Sequence, residues 1–247
     1  MAGVDFMCIA HRGASSYAPE NTLAAFDLAL HMGIGHIELD VHCTSDGHVV
    51  VIHDDAVDRT TSGSGPVASY ILAALRSLDA GAWFGAAFAG QRVPTFVEIL
   101  ARYGGRLHVH TELKGRTAHL VQRTVDLVRQ YNLTTQVTMT SFQKLRLQEV
   151  RAYAPELPAG WLVQEVNEAI IGQARQLGVT QLCPAAQTVT PELVRHLRAQ
   201  GFVVRAWGVA NEVLMRQVVD AGADGMTVNF PDKLMAYVQR LRPPEAG

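Results

Sequence analysis

Short apolar runs alternate with amphipathic stretches along nearly the whole chain, and this alternation constrains the fold more than any other feature. Eight runs have the length and β-branched composition of buried strands, and the stretches between them repeat apolar residues at helical spacing. The runs are FMCIA, HIELDV, LHVHTEL, QVTMT, PAGWLV, QLCPA, FVVRAWGV and GMTVNF. Repeated strand–helix units are typical of a parallel α/β sheet. Eight of them in 247 residues predict one (β/α)8 barrel domain over residues 1–247.

A long insertion follows the second predicted strand. Asp46-Gly47 has the composition of a hairpin turn that leads into an extra antiparallel strand. About forty further residues precede the next helix, so that the insertion covers about residues 46–93. In a barrel the loops that follow the strands form the rim where active sites lie. The sequence therefore predicts a rim insertion that helps to build the functional site.

Composition and charge exclude several classes of partner. The formal net charge is −2, which is far from the broad basic surface that non-specific nucleic-acid binding requires. No apolar stretch approaches the length of a membrane span, and MAGVDFMCIAHRG lacks the charged start and apolar middle of a secretory signal. The cysteines are widely spaced, odd in number and in apolar runs: Cys8, Cys43 and Cys183. These features predict a cytoplasmic protein with buried thiols, and no nucleic-acid or stable membrane partner.

Charged and titratable side chains collect where the predicted strands end. Residues two apart on a strand point the same way, and in a barrel the strand ends deliver side chains to one mouth. We therefore expect three carboxylates, two histidines and two cations at one rim. They are His11, Arg12, Glu38, Asp40, His53, Glu112 and Lys114.

The three carboxylates predict a metal site. Glu38, Asp40 and Glu112 would repel one another and raise their pKa values unless a cation neutralised them. Pairing with neighbouring Arg or Lys side chains is the alternative. Because HIELDV is an apolar run expected to be buried, where unpaired carboxylates are costly, a metal is the better explanation. Oxygen ligands without cysteine favour one divalent cation, Mg²⁺ or Ca²⁺, with Mn²⁺ also possible.

Two histidines and two cations complete the predicted chemistry. His11 and His53 can each give and take a proton near neutral pH, which suits a reaction that needs both an acid and a base. Arg12 and Lys114 fit the oxygens of a phosphate, although rim salt bridges to the carboxylates are an alternative. Structural or surface roles are expected for His31, His36, His42, His48, His108, His119 and His196. The combination indicates metal-dependent cleavage of a phosphoester.

The ordered motifs resemble those of the glycerophosphodiester phosphodiesterase family. The resemblance covers essentially the whole chain and is carried by HRGASSYAPENTLAAF, IELDVHCTSDGHVVVIHDD, DRTTSGSG, LDAGAWFGAAFAGQRVPTFVEIL and HTELKG. It implies a TIM-barrel fold and cleavage of small-molecule glycerophosphodiesters to sn-glycerol 3-phosphate and an alcohol, in two steps through a cyclic phosphate. It also implies the short cytoplasmic bacterial type.

The same resemblance implies roles for particular residues. Glu38, Asp40 and Glu112 would bind the metal, and His11 and His53 would be the acid and base pair. Arg12 and Lys114 would hold the phosphate, and Trp207 would line the glycerol pocket unless it is ordinary core. Glu20 lies near enough in sequence to assist. Two departures, His110 and Asn229 where the family often has Asn and Asp, bear on substrate tuning rather than on the proposed ligands.

Other functions fit the sequence less well. A His-Asp pair such as His53-Asp54 also marks helical metal phosphohydrolases, but here it follows a strand. A lysophospholipase D activity within the superfamily depends on whether the aromatics Trp83, Phe84 and Phe88 form an apolar slot. A catalytically silent phosphate-binding barrel is a third alternative, although all the acid, base and metal residues are present. The sequence leaves the alcohol, the metal, the initial base and the oligomeric state open.

Overall fold

The eight predicted strands close into a parallel barrel, because the first strand pairs with both the second and the last. The computed structural model describes residues 6–241. An additional strand, β3, lies antiparallel to β2 outside the ring. The strands are β1 (Met7–His11), β2 (His36–Cys43), β3 (Val49–Val51), β4 (His108–Leu113), β5 (Val137–Ser141), β6 (Ala159–Val163), β7 (Gln181–Pro184), β8 (Val203–Ala206) and β9 (Gly225–Val228).

Helices cover the outside of the barrel. Several begin where a side-chain oxygen accepts a backbone N–H of the first turn, as Thr22 does from Ala25 and Thr95 from Glu98. The predicted helices are confirmed, with ends that differ by a few residues. They are α1 (Leu23–His31), α2 (Leu72–Leu75), α3 (Phe96–Tyr103), α4 (Leu120–Gln130), α5 (Lys144–Tyr153), α6 (Glu168–Leu177), α7 (Pro191–Ala199), α8 (Glu212–Asp220) and α9 (Pro231–Leu241). The short α2 was not predicted.

Alternation along the strands separates the core from the site. On β2, Ile37 and Leu39 face outward into the apolar core beneath the helices. The residues between them, Glu38 and Asp40, face the barrel interior. The same alternation on β4 places Val109 in the core and Glu112 inside. The alternation that places apolar residues in the core therefore also places the carboxylates inside the barrel.

The predicted rim insertion is present and has a small core of its own. β3 forms the extra antiparallel run, after a tight turn in which the Gly47 amide donates to the Thr44 carbonyl. Val51 is the last residue of β3, although the Ile52 amide still donates to the Asp40 carbonyl at 3.1 Å. His53 therefore lies two residues beyond the end of the strand. The insertion buries Val50, Ile52, Val57, Val67, Leu75, Ala80 and Val93 against one another.

Two further expectations concern the burial of the cysteines and the lack of a membrane-spanning segment. Burial is confirmed for Cys43 and Cys183, whereas Cys8 is only partly buried. Among residues 6–241, no helix has the length and apolarity of a membrane-spanning segment. The stretch MAGVDFMCIAHRG and the predicted domain 1–247 include residues 1–5 and 242–247, which lie outside the described residues.

Gly13, in the loop after β1, is expected to tolerate a side chain poorly. Its φ is +84°, and an added Cβ would lie 2.6 Å from a backbone atom of Ala25. Gly33 has a similar φ of +78° but open space around it, so it is the matched control. Gly33→Ala should lower the free energy of unfolding by about 1–2 kcal/mol, the cost of the left-handed backbone alone. Gly13→Ala should cost more, as measured by urea unfolding. Equal losses would contradict the predicted clash.

Candidate active site

Three carboxylates converge at the C-terminal end of the barrel. Asp40 on β2 and Glu112 on β4 are register partners, and Glu38 lies two residues earlier on the same face of β2. One oxygen from each lies within 4.8 Å of the others, and all three residues are buried. The predicted trio is therefore brought together in a geometry that could hold a metal ion.

Burial and neighbouring charges raise the pKa values of two of these carboxylates. Desolvation, followed by the charges of Asp40 and Glu112, raises the pKa of Glu38 well above its usual value. Desolvation and the neighbouring Asp40 raise the pKa of Glu112 to about 7. In addition, Oδ1 of Asp40 is buried without a hydrogen-bond donor. An all-oxygen donor set with an unsatisfied oxygen fits a hard divalent cation.

The two predicted cations lie against the carboxylates. The Arg12 Nε is 3.3 Å from Asp40 Oδ2, and the Lys114 Nζ is 3.3 Å from Glu112 Oε1 and 3.7 Å from Asp40 Oδ1. The side-chain amide of Asn21 also donates to Asp40 at 2.9 Å. The rim salt bridges considered as an alternative therefore exist. They leave both cations at the cavity wall, where they can also meet an anion.

An unusual backbone conformation places Arg12. Its φ is +56°, a left-handed value that is uncommon for a residue with a side chain. Two contacts hold the turn: the Arg12 amide donates to the Glu38 carbonyl at 2.9 Å, and the Asn21 amide donates to the Arg12 carbonyl at 3.0 Å. This geometry directs the guanidinium toward Asp40 and Glu20.

The two predicted catalytic histidines have different partners. The Nδ1 of His11 lies 2.6 Å from the amide oxygen of Asn229, and its Nε2 lies 3.8 Å from Glu38. The Nδ1 of His53 lies 2.5 Å from the carboxylate of Asp54. Desolvation lowers the pKa of both histidines. A neutral amide supports one imidazole and a carboxylate supports the other.

Two adjoining cavities open at this end of the barrel. The smaller, of about 210 Å³, contains both histidines, the two cations and two of the carboxylates. Trp207, just beyond β8, lies in its wall and packs edge-on against Phe142 at a centroid distance of 4.7 Å. The larger, of about 340 Å³, adjoins it through shared residues and continues past His53. The shared residues are His53, Glu112, Lys114 and Phe142.

The sequence interpretation missed one histidine at the site. His42 was expected beyond the end of the second strand, but pairing with β3 extends β2 to Cys43. His42 is buried, its Nε2 lies 3.2 Å from the carbonyl of His53, and it lines the larger cavity. Strand alternation from Glu38 and Asp40 was the signal that could have placed it.

Other polar residues around the site were also missed. Asn229, interpreted only as a departure in substrate tuning, contacts His11 directly. Arg205 of β8 is buried and lines the smaller cavity, and the signal that could have found it is a charged residue within the apolar run FVVRAWGV. The second departure, His110, is buried and lies 3.3 Å from His36, outside the lining of both cavities.

Comparison with known proteins identifies the relatives of this chain. Residues 11–233 match the glycerophosphoryl diester phosphodiesterase family. The chain belongs to that family. A glycerophosphodiester phosphodiesterase of Caldanaerobacter subterraneus subsp. tengcongensis is 36% identical over 238 residues, which cover 95% of this chain and 98% of the relative. The relationship confirms the expected enzyme class, a phosphoric diester hydrolase.

Solved structures agree with the barrel. An Oleispira antarctica phosphodiesterase in complex with the product sn-glycerol-3-phosphate matches with a TM-score of 0.87 and 30% identity, over 94% of this chain and 96% of that one. A glycerophosphodiester phosphodiesterase from Agrobacterium tumefaciens matches with a TM-score of 0.84 and 30% identity, over 92% and 98% of the two chains. The predicted TIM-barrel fold is thus confirmed.

The raised pKa of Glu112 predicts a pH dependence of stability in the presence of EDTA. Its folded pKa of about 7 exceeds the ordinary 4.5, so the folded state binds this proton more tightly. The stabilisation is present below pH 4.5 and is lost as the pH rises through 7. As the pH rises from 4.5 to 7, the Tm of the wild type should therefore fall relative to the Tm of Glu112→Gln. A difference that does not change with pH would contradict the assignment.

Proposed function

We propose that this protein hydrolyses glycerophosphodiesters to sn-glycerol 3-phosphate and an alcohol in a metal-dependent reaction. The observation that carries the proposal is a cavity lined by two cations, two histidines and two members of the buried carboxylate trio, with the third member, Asp40, directly beside them. Membership of the family supports it, and so does the similarity to a phosphodiesterase bound to sn-glycerol-3-phosphate.

The cofactor that we propose is one divalent cation, Mg²⁺ or Ca²⁺, with Mn²⁺ also compatible. Glu38, Asp40 and Glu112 would hold it, since they offer only carboxylate oxygens and lie close together. When bound, such an ion neutralises charge on the phosphate oxygens and favours attack at phosphorus. Arg12 and Lys114, already at the cavity wall, would bind the remaining phosphate oxygens.

The two cavities suggest where the halves of the substrate bind. A diester has glycerol on one side of phosphorus and the leaving alcohol on the other. We assign the glycerol to the smaller cavity, where Trp207 and Leu162 form an apolar wall. The larger cavity would receive the alcohol, because it continues beyond the shared His53 and is open and polar. Several alcohols fit a wide polar cavity, so we expect a broad choice of alcohol.

The partners of the histidines suggest their roles. His11, whose Nδ1 faces a neutral amide, would be the base that takes the proton of the glycerol 2-hydroxyl. That oxygen attacks phosphorus and forms a cyclic phosphate while the bond to the alcohol breaks. His53, whose imidazolium form Asp54 stabilises, would donate the proton to the departing alcohol oxygen.

The second step reverses the roles. His53, now neutral, would take a proton from water, whose oxygen attacks phosphorus. The bond between phosphorus and the 2-oxygen breaks, and His11 returns its proton to that oxygen. Arg12 and Lys114 would stabilise the charge on the phosphate oxygens in both steps. The products are sn-glycerol 3-phosphate and the alcohol, and both histidines regain their starting state.

The lysophospholipase D alternative has less support. Trp83, Phe84 and Phe88 pack on one another edge-to-face, with centroid distances of 5.6 and 5.4 Å. None of the three lines either cavity beside the histidines, so these aromatics offer no acyl-chain slot there.

We also propose that the whole chain acts as one barrel domain in a reducing compartment such as the cytoplasm. One closed ring of strands between residues 7 and 228 supports the single domain. The buried thiols of Cys43 and Cys183 suit a reducing compartment.

The direct test is release of glycerol 3-phosphate from glycerophosphocholine and glycerophosphoethanolamine. Release should disappear with EDTA and return when Mg²⁺, Ca²⁺ or Mn²⁺ is added back singly. No release with any of these ions would contradict the proposal. Lysophospholipid cleavage would then support the rival enzyme, whereas phosphate binding without turnover would support a silent barrel.

Removal of either histidine should lower kcat by roughly 10²–10⁴-fold, the usual contribution of a general acid or base. The changes are His11→Ala and His53→Ala. His196→Ala is the matched control, because His196 is exposed on α7 and pairs with Glu168 away from the cavities. Near-normal turnover in either active-site variant would refute the acid–base scheme.

A further inference from the structure

A chain of ion pairs extends from the cavity wall to His53. Arg12 donates to Glu20 at 2.8 Å, and Arg59 donates to both oxygens of Glu20, also at 2.8 Å. The same Arg59 guanidinium contacts both oxygens of Asp54, at 2.7 and 3.2 Å. Asp54 in turn lies 2.5 Å from the Nδ1 of His53. One planar side chain therefore holds two carboxylates from two separate segments.

Arg59 and Glu20 are outside the reacting set. Neither lines the smaller or the larger cavity at the site. Each charge nevertheless stabilises the other. The hydrogen bonds that Arg59 donates to Glu20 and then to Asp54 raise the pKa of Arg59, and Arg59 keeps the pKa of Asp54 far below its usual value. A single exposed ion pair contributes little to stability. An arginine whose guanidinium binds two carboxylates, however, fixes their geometry as well as balancing their charge.

His53 needs such support because its backbone is irregular. It lies beyond β3 and before the next bridge at Ala56, in neither helix nor strand. The contact of His42 with its carbonyl holds the backbone but leaves the imidazole free to rotate. The orientation of the ring and the tautomer depend on the Asp54 carboxylate. Without Arg59, that carboxylate could turn toward solvent.

We propose that Arg59, seated on Glu20, is a positioning residue that holds Asp54 against His53. The fork of Arg59 fixes both oxygens of Asp54, and Asp54 directs the Nε2 of His53 into the site. Glu20 joins this arrangement to the loop that carries Arg12, so that the insertion and the first loop keep a fixed relation. This inference rests on the proposed function, with His53 as the acid for the departing alcohol.

A purely structural role is the competing explanation, since the same contacts tie the insertion to the barrel. The two explanations differ in their dependence on the leaving group. A positioning role acts through protonation of the alcohol, which matters for choline but not for 4-nitrophenolate, which leaves without a proton. A structural role would lower turnover of both esters alike.

The test compares glycerophosphocholine with glycerol 3-(4-nitrophenyl phosphate) on the metal-loaded enzyme. Arg59→Gln should lower kcat for the choline ester by about 10–100-fold, the usual effect of removing a group that orients a functional side chain. KM should change little, and the loss on the nitrophenyl ester should be below about 3-fold by the same reasoning. For Arg59→Lys, kcat for the choline ester should lie between the wild-type and Arg59→Gln values, because an ammonium group cannot bind two carboxylates in the planar arrangement of a guanidinium.

Arg102→Gln is the matched control. Arg102 also binds a carboxylate with two hydrogen bonds, to Asp27 at 2.8 and 2.6 Å, and is about as exposed as Arg59. It joins α3 to α1 away from the site, so its loss should lower Tm without any leaving-group dependence. An Arg102→Gln profile that matches Arg59→Gln would overturn the proposal.

A double-mutant cycle gives the second decision. If Arg59 acts through Asp54, the double variant Asp54→Asn/Arg59→Gln should be no slower than Asp54→Asn alone. Independent, multiplying losses, or equal losses on the two esters, would overturn the positioning role while leaving the phosphodiesterase activity intact. Absence of turnover by the wild type on both esters would instead refute the proposed function.

Discussion

The arrangement of this site depends on three carboxylates that the barrel register forces together in a buried mouth. Asp40 and Glu112 are register partners on neighbouring strands, and Glu38 shares their face. Burial, followed by their mutual repulsion, raises the pKa values of Glu38 and Glu112. Arg12, Lys114 and Asn21 reduce this repulsion only in part, because Asp40 retains a buried oxygen without a donor. A divalent cation is the physical complement of such a trio.

Around this trio the loops supply the chemistry. The first loop holds Arg12 in a left-handed conformation, and the insertion brings His53 to the same cavity, with Asp54 against its ring. The two cavities, which share His53 and Lys114, match a molecule with two halves around a phosphate. The network through Glu20 and Arg59 connects the two loops, so His53, the proposed acid, and Arg12, the proposed phosphate ligand, are linked through the same ion pairs.

The sequence predicted the barrel and the trio for one reason. Strand alternation is periodic, so a buried run such as HIELDV already states which side chains face inward. Irregular segments lack this periodicity. The β3 pairing that extends β2 brought His42 to the site, and the contact between Arg59 and Asp54 depends on a loop conformation that no local pattern encodes. Arg205 lies within the predicted strand FVVRAWGV rather than at its end, so it was not among the side chains expected at the mouth, although it is buried and lines the smaller cavity.

The most direct test of the central claim is a crystal structure of the protein grown with Ca²⁺ and sn-glycerol 3-phosphate. The account predicts the ion on Glu38, Asp40 and Glu112, the phosphate against Arg12 and Lys114, and the glycerol beside Trp207. An ion bound elsewhere, or a phosphate away from the two histidines, would contradict it.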